Sequence, residues 1–217
     1  MLANNKDWNY YWNNNSENFT KISFSKKRII EILDKHITYN SVIVDAGCGS
    51  GFFSNYFCQK TNKVFAVDNS ESALKKCKQI CNDKVSILNL DLLSDEFVKN
   101  FYKKIDLIFS DGLLEHFNYK EQNKILSNFY KCLSDNGKII TLVPNKFSPW
   151  QIIRPIFMPS IKETPFILRN LIKLHQHNGF KTLDSGGINV LPIKYSPEKY
   201  FAGRTPSRRR APCRLRL

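Results

Sequence analysis

The side chains and backbone groups best suited to chemistry surround one glycine-rich turn. Asp45, Gly47, Gly49 and Gly51 alternate directly after a short apolar run, and the residues from Phe52 onward are typical of a helix start. Glycines at a strand–helix junction let a ligand approach the backbone without meeting Cβ atoms. The helix beyond the turn offers unpaired N–H groups and a partial positive charge. The turn therefore predicts a binding site for something small and polar.

Two further acids follow predicted strands. Asp68 comes 23 residues after Asp45 and is followed by Asn69, while Asp91 ends the next predicted strand and is followed by Leu92. A carboxylate at the position of Asp68 can accept hydrogen bonds from both ribose hydroxyls of a nucleotide. Either acid could instead cap the helix that follows it. Both interpretations stay open for the two acids taken alone.

Known glycine fingerprints narrow the choice of ligand. The dinucleotide fingerprint requires glycine where this chain has Phe52, and a phosphate-binding P-loop requires a lysine that is absent here. The pattern Asp45-x-Gly47-x-Gly49-x-Gly51 instead resembles motif I of the class I S-adenosylmethionine (SAM) methyltransferases. The alternative is a tight turn that holds no ligand.

The resemblance implies SAM as the cofactor and a role for each residue of the turn and of the two acidic strand ends. In the family, the glycine turn packs against the methionine part of SAM, the second acid binds the ribose, and the third strand end holds the adenine. The cofactor-binding residues implied in this way are Asp45, Gly47, Gly49, Gly51, Asp68, Asn69, Asp91 and Leu92.

A candidate catalytic residue follows the fourth predicted strand. The segment Leu114–Phe117 (Leu-Glu-His-Phe) resembles the post-strand motif of small-molecule methyltransferases, and Val143–Asn145 (Val-Pro-Asn) resembles quinone-biosynthesis O-methyltransferases. A hydroxyl acceptor needs a base, and His116 has an ordinary pKa of about 6.5. The alternative for His116 is a buried histidine that orients a loop. No metal-ligand constellation stands out in the sequence, so we expect no metal.

Strands and helices alternate over residues 42–143. This alternation predicts an α/β fold with a doubly wound, mostly parallel sheet, which is the Rossmann-like fold of the resembled family. The acids named above then lie at the carboxyl ends of the strands, where such sheets bind ligands. Phe180–Asp184 is a predicted sixth strand. The seventh, antiparallel strand of the family fold is not found after it, which points to a truncated domain that lacks that strand.

The chain divides into three parts. Residues 1–40 form a helical segment with an aromatic cluster, which in the resembled family often folds over the cofactor site as a lid; packing at the domain edge is the alternative. Residues 41–203 form the SAM-binding methyltransferase domain, in which the apolar, proline-containing residues 146–163 are a candidate wall of the acceptor pocket. Residues 204–217 contain six arginines and are predicted to be non-native or disordered, the alternative being a basic nucleic-acid or membrane arm.

Composition excludes several classes of protein. No run approaches the roughly 20 apolar residues of a membrane span, so we expect no span. The six cysteines include no Cys-x-x-Cys pair, which indicates free thiols and a cytoplasmic location. The formal net charge of +14 falls to +8 once the six arginines of the tail are set aside. That remaining charge is modest and suits an acidic substrate or partner.

The function that these features favour is methyl transfer from SAM to a small-molecule acceptor, with O-methylation preferred. A nucleic-acid methyltransferase is one alternative, although the Asn/Asp-Pro-Pro-Tyr/Phe motif of amino methylation is absent: Ser-Asp-Gly-Leu follows the fourth strand. A truncated SAM-binding protein without catalysis is the other. The sequence fixes neither the acceptor nor the oligomeric state.

Overall fold

The computed structural model of this 217-residue chain describes residues 5–14, 24–149, 151 and 163–188. Its helices are α1 Asn5–Asn14, α2 Phe24–Leu33, α3 Phe52–Phe57, α4 Glu71–Cys81, α5 Asp95–Phe101, α6 Tyr119–Cys132 and α7 Leu168–His177. Its strands are β1 Val42–Ala46, β2 Lys63–Asp68, β3 Ser86–Asn89, β4 Ile105–Asp111 and β5 Leu133–Leu142, and a 3-10 turn covers Leu114–His116. The predicted arginine-rich tail at 204–217 lies outside the described residues.

The five strands form one parallel sheet in the order β3-β2-β1-β4-β5. The predicted doubly wound α/β fold is confirmed. The chain moves outward from β1 to β3 and then returns to place β4 on the other side of β1. Strand order therefore reverses between β1 and β4, and a crevice opens there at the carboxyl ends of the strands.

Helices cover both faces of the sheet because successive strand residues point to opposite sides. On one face, Val44 and Ile108 pack in a cluster with α5 and α6 that includes Phe97 and Phe129. On the other face, Ile43 packs in a cluster with α2, α3 and α4. Burial on both sides explains why the central strands β1 and β4 and their neighbour β2 are mainly apolar until the acids at or near their ends.

Polar side chains fix the starts of the helices that flank the crevice. Ser70 caps α4 by accepting a hydrogen bond from the Ala73 N–H, and Ser94 caps α5 in the same way. Asn118 and Glu121 form a reciprocal capping box at the start of α6. These caps end the loops after β2, β3 and β4 at defined residues, so the strand ends are held in place.

The prediction of a sixth strand at Phe180–Asp184 is wrong. Residues 180–187 form no strand, because Phe180 is used as a core anchor instead. Its ring packs against Tyr130 of α6 at 5.6 Å and against His175 of α7 at 5.7 Å. Within the described residues β5 is therefore an edge of the sheet. No helix in these residues has the length and apolar character needed to cross a membrane.

Candidate functional site

A cavity of about 240 Å³ lies at the carboxyl ends of the strands, in the crevice beside β1 and β4. Residues from α1, α2, the glycine turn and the ends of β2, β3 and β4 line it. Of the residues predicted from the sequence, the lining includes Asp45, Gly47, Gly49, Asp68, Asn69, Asp91, Leu92 and His116. Four separate motifs of the sequence thus meet around one space.

The glycine turn has left-handed backbone at the two glycines that line the cavity. Gly47 has φ of 70° and Gly49 has φ of 52°, a region that residues with side chains rarely adopt. The Gly47 and Cys48 N–H groups both donate to the Val67 carbonyl, at 2.8 and 3.1 Å. A Cβ on Gly49 would lie 2.6 Å from the ring of Trp12. A Cβ on Gly47 would lie 2.8 Å from Leu113, so the missing side chains of both glycines let other parts of the protein pack closely on the turn.

Gly51 has a different position from the other two glycines. It does not line the cavity, and it precedes α3 with φ of 83°. A Cβ there would collide with Cys77 of α4. The structure thus places Gly51 where α3 packs against α4, although the sequence resemblance assigned it to the cofactor.

Asp68 connects two turns through its carboxylate. One oxygen accepts from the Gly49 N–H at 3.0 Å, and the other accepts from the Ser70 N–H at 2.9 Å. Burial raises the pKa of Asp68, and these backbone hydrogen bonds oppose the rise. Ser70, not Asp68, caps α4, and Asp68 lines the cavity.

Asp45 is buried beneath the glycine turn, with only 3% of its surface exposed. Ser54 of α3 donates a hydrogen bond of 2.6 Å to it. Burial raises the pKa of Asp45 to about 7, and the nearby carboxylates of Asp111 and Asp68 add to the rise. A positively charged ligand would reverse this effect, because an opposite charge favours the ionised acid.

Asp111 and Lys26 belong to the site but were not predicted. Asp111 ends β4, and the surrounding protein raises its pKa to about 6 even though solvent reaches part of its surface. Lys26 of α2 lowers the pKa of Asp111, while burial lowers the pKa of Lys26 itself. The Lys26 ammonium lies 3.7 Å from the centre of the Phe52 ring. An acid at the end of a predicted strand was the available signal for Asp111.

The end of β3 contributes one polar and one apolar residue to the cavity. The Asp91 carboxylate accepts a hydrogen bond from the Leu93 N–H at 2.9 Å, so it stabilises its own turn. Leu92 is buried, and its carbonyl accepts from the Asn128 side chain of α6 at 2.8 Å. The pair presents a carboxylate beside an apolar surface, an arrangement that suits a flat heterocycle with an amino group.

Helix α1 covers the cavity with aromatic side chains. Trp8 meets the His116 ring edge to face at 4.7 Å, and Trp12 packs on Gly49. The Asn9 side-chain oxygen accepts from the Ser70 hydroxyl at 2.7 Å and from the Ser72 N–H at 3.3 Å. These contacts attach α1 to the start of α4, on top of the predicted ligand site.

The far side of the cavity brings together residues that are distant in sequence. The 3-10 turn after β4 buries Glu115 and His116, whose Oε1 and Nε2 atoms lie 3.9 Å apart. Glu163 lies beside them, and the Thr164 N–H donates to the Glu115 carbonyl at 2.8 Å. Glu163 is the last residue of the segment 146–163 that the sequence offered as a wall of the acceptor pocket, although no signal singled out Glu163 itself; residues 150 and 152–162 of that segment lie outside the described residues.

The residues that line the cavity fit a ligand with a cationic part, hydroxyl groups and a heterocycle. Three carboxylates, Asp45, Asp68 and Asp111, line the cavity together with the glycine turn. Burial raises the pKa of all three carboxyl groups, so the ionised form of each gains from a neighbouring positive charge. An amino-acid sulfonium joined to a nucleoside has these features, so the residues present are compatible with SAM.

Comparison with known proteins agrees with this chemistry. Residues 43–137 match the family model described as a methyltransferase domain. The chain is 35% identical over 101 residues to a malonyl-[acyl-carrier protein] O-methyltransferase of Hamiltonella defensa, covering 46% of this chain and 36% of that protein. It is 30% identical over 142 residues to ribosomal RNA small subunit methyltransferase C of Buchnera aphidicola, covering 63% and 41%. The chain thus spans less than half the length of either relative.

The fold is also that of solved methyltransferases. Geranyl diphosphate C-methyltransferase from Streptomyces coelicolor, solved with Mg²⁺, geranyl diphosphate and S-adenosyl-L-homocysteine, superimposes with a TM-score of 0.62. The sequences are 15% identical, and the match covers 83% of this chain and 81% of that one. The shared fold and the matched domain agree with the sequence resemblance.

Proposed function

We propose that this chain, which carries a class I SAM-dependent methyltransferase domain, binds SAM in the cavity and transfers its methyl group to a small-molecule acceptor, preferentially to oxygen. The matched domain over residues 43–137 supports the cofactor and the reaction class. When bound, SAM supplies an electrophilic methyl group on a sulfonium. The protein's contribution is then to bind, to orient and to exclude water.

The positions of the residues that line the cavity support the cofactor-binding roles that we assign. Asp68, fixed by two backbone hydrogen bonds, is the ribose acceptor, with Asn69 beside it. Asp91 and Leu92 hold the adenine by its amino group and ring face. The amino-acid part would lie beside the turn that contains Gly47 and Gly49, which lines the cavity.

Charge complementarity supports the same orientation. Asp45 and Asp111 flank the switch point of the sheet, beside the glycine turn. In the cavity they form a negative environment for the ammonium and sulfonium groups of a bound amino-acid sulfonium. Their ionisation on binding would strengthen the attraction, because a carboxylate in a site of low polarity interacts strongly with a nearby cation.

The observation that carries the small-molecule assignment is the cover formed by α1. Trp8 packs on His116, and Trp12 packs on Gly49. The two tryptophan rings together form an aromatic wall over the cavity. The cavity beneath that wall, which the proposed cofactor residues also line, measures about 240 Å³, so only a compact acceptor could enter beside SAM while α1 stays docked. A wall of this kind also excludes the water that would compete with the transfer.

His116 is the residue that we place nearest to the acceptor. A neutral imidazole there can take the proton of a hydroxyl group. Glu115, whose Oε1 atom is 3.9 Å from His116 Nε2, would stabilise the imidazolium that results. The predicted role of His116 as a general base is retained in this form.

A turnover screen tests the proposal. The purified chain is incubated with labelled SAM and a library of hydroxyl, carboxyl and amine metabolites, with transfer RNA and ribosomal RNA in parallel. Label transferred to a small hydroxyl compound supports the proposal. Label that appears only in RNA would contradict the substrate class, and SAM binding without any transfer would favour a binding protein that lacks catalysis.

RNA is the second candidate acceptor because two observations favour it. The chain has a formal net charge of +14, and one relative is named a ribosomal RNA methyltransferase. Basic charge gives affinity for RNA that falls steeply as the salt concentration rises. The screen therefore includes RNA at 50 and at 200 mM salt, and product formation that tracks the salt dependence of binding would support this alternative.

A further inference from the structure

Three side chains of metal-ligand type meet beside the cavity, although they come from separate parts of the chain. Glu115 and His116 lie on the 3-10 turn after β4, and Glu163 approaches from the segment before α7. One ligand atom from each residue lies within 4.8 Å of the other two. The geometry points to a binding site for a divalent transition-metal cation at Glu115, His116 and Glu163.

The ligand chemistry selects the kind of cation. Carboxylates suit Mg²⁺, Ca²⁺ and Mn²⁺, whereas imidazole suits first-row transition metals and Zn²⁺. Two carboxylates with one imidazole therefore favour Mn²⁺ or Zn²⁺ over Ca²⁺. Metal–ligand bonds of about 2.0–2.2 Å place neighbouring ligand atoms roughly 3 Å apart. Side-chain rotations would close the observed spacing to that value.

Contacts around the cluster keep the two segments that carry the three ligands close together before any cation arrives. The Thr164 N–H donates to the Glu115 carbonyl at 2.8 Å, which joins the two segments of backbone. The Gln151 side-chain amide donates to Glu163 Oε1 at 3.2 Å. The Trp8 ring packs on His116. Such outer contacts orient ligands and raise metal affinity.

A cation at this position would take part in the proposed transfer, and this step rests on the proposed function. Three protein ligands leave coordination positions open, and His116 lines the cavity. An acceptor hydroxyl that coordinates there would have a lowered pKa and would release its proton to solvent. His116 would then act as a ligand and not as a free base, because both roles use the lone pair of a ring nitrogen.

The test is a titration of the full chain with Mn²⁺, without SAM, with free Mn²⁺ measured by electron paramagnetic resonance. We expect one bound equivalent. Glu163→Gln should weaken the affinity by at least about tenfold, the lower end of the range for perturbed metal sites. Glu96→Gln, the same chemical change on the exposed surface of α5, should leave it unchanged. Circular dichroism confirms that each variant is folded.

A second measurement locates the bound ion. Paramagnetic Mn²⁺ beside His116 should quench the fluorescence of Trp8, and Trp8→Phe should remove most of the quenching while one equivalent still binds. Lack of stoichiometric binding for both Mn²⁺ and Zn²⁺, or equal affinities in Glu163→Gln and the wild type, would overturn the site. A separate calorimetric titration of metal-free protein with SAM distinguishes this failure from failure of the proposed function.

Discussion

Asp68 accepts a hydrogen bond from the Gly49 backbone N–H at 3.0 Å, so the end of β2 and the turn after β1 are held by one contact. The sequence assigned these two residues to different parts of one ligand. Their direct contact means that the acid also shapes the turn, and a change at Asp68 alters two parts of the cavity together.

Replacing Asp68 by alanine should weaken SAM binding by about 10- to 100-fold. The variant loses an acceptor for ribose hydroxyls, and a hydrogen bond to a charged group contributes about 1.5–3 kcal/mol. Isothermal titration calorimetry measures the affinity. Asp135→Ala, on a side chain that is 88% exposed, is the control and should bind SAM normally. Equal affinity in both variants would contradict the ribose assignment.

The stability difference between Asp45→Asn and the wild type should change with pH. The raised pKa of about 7 means that the folded protein keeps its proton on Asp45 after the unfolded chain has lost it, near pH 4. The contribution of Asp45 to the free energy of unfolding of the wild type is therefore complete below about pH 4 and is lost as the pH rises from about 4 to about 7. We expect urea unfolding to show that, between pH 5 and pH 8, the free energy of unfolding of Asp45→Asn rises by about 2–3 kcal/mol relative to that of the wild type. A difference that is independent of pH would show that Asp45 ionises normally.

Gly51→Ala should destabilise the fold. The added Cβ would meet Cys77, and φ of 83° strains any residue with a side chain. Together these effects should lower the free energy of unfolding by about 1–3 kcal/mol. Gly186→Ala is the matched control, because nothing lies within 4 Å of the added carbon. If chemical denaturation shows the two variants to be equally stable, the packing of α3 on α4 tolerates more than the structure indicates.

His116→Asn should lower turnover by about 10²–10⁴-fold and leave SAM affinity nearly intact. Both proposed roles of His116, base and metal ligand, act on the acceptor and not on the cofactor. The measurement is turnover at saturating acceptor, with SAM affinity determined separately. If a chelator abolishes the activity of the wild type and added Mn²⁺ restores it, His116 acts through the cation. A turnover loss below about tenfold would contradict both roles.

Deleting residues 204–217 should leave the melting temperature and SAM affinity unchanged within error. The segment contains six arginines and no acid, and only three other arginines occur in the preceding 203 residues, which suggests a foreign extension. Differential scanning calorimetry and SAM titration compare the two lengths. Loss of an RNA affinity that depends on salt would show instead that the segment is a working basic arm.

The fold could be predicted because local signals and global pattern agree. Strands β1, β2 and β4 are mainly apolar runs with an acid at or next to their last residue, and both faces of the sheet are covered, as at Ile43 and Val44. The prediction failed at Phe180, where an apolar, β-prone segment anchors α6 and α7 and pairs with no strand. Periodicity does not distinguish those two uses of one aromatic residue.

The site could be predicted only where a motif is continuous in sequence. The glycine turn and Asp68 carry such a signal, whereas Glu163 does not. Glu163 lies beside His116 because the Thr164 N–H donates a hydrogen bond to the Glu115 carbonyl and because Phe166 pairs with Asn145 in an isolated β-bridge. Likewise, the packing of Trp12 on Gly49 depends on how α1 docks, which the composition of α1 does not determine.

The Ser70 hydroxyl joins α1, which covers the cavity, to the start of α4. It accepts from the Ala73 N–H to start α4 and donates its single proton to Asn9 of α1. Undocking of α1 would remove the Asn9 acceptor from both the Ser70 hydroxyl and the Ser72 N–H, at the start of α4. We expect exchange of bound for free cofactor to proceed at the rate of this opening, so that solvent viscosity and hydrogen exchange at the α4 amides would report the same slow motion as turnover.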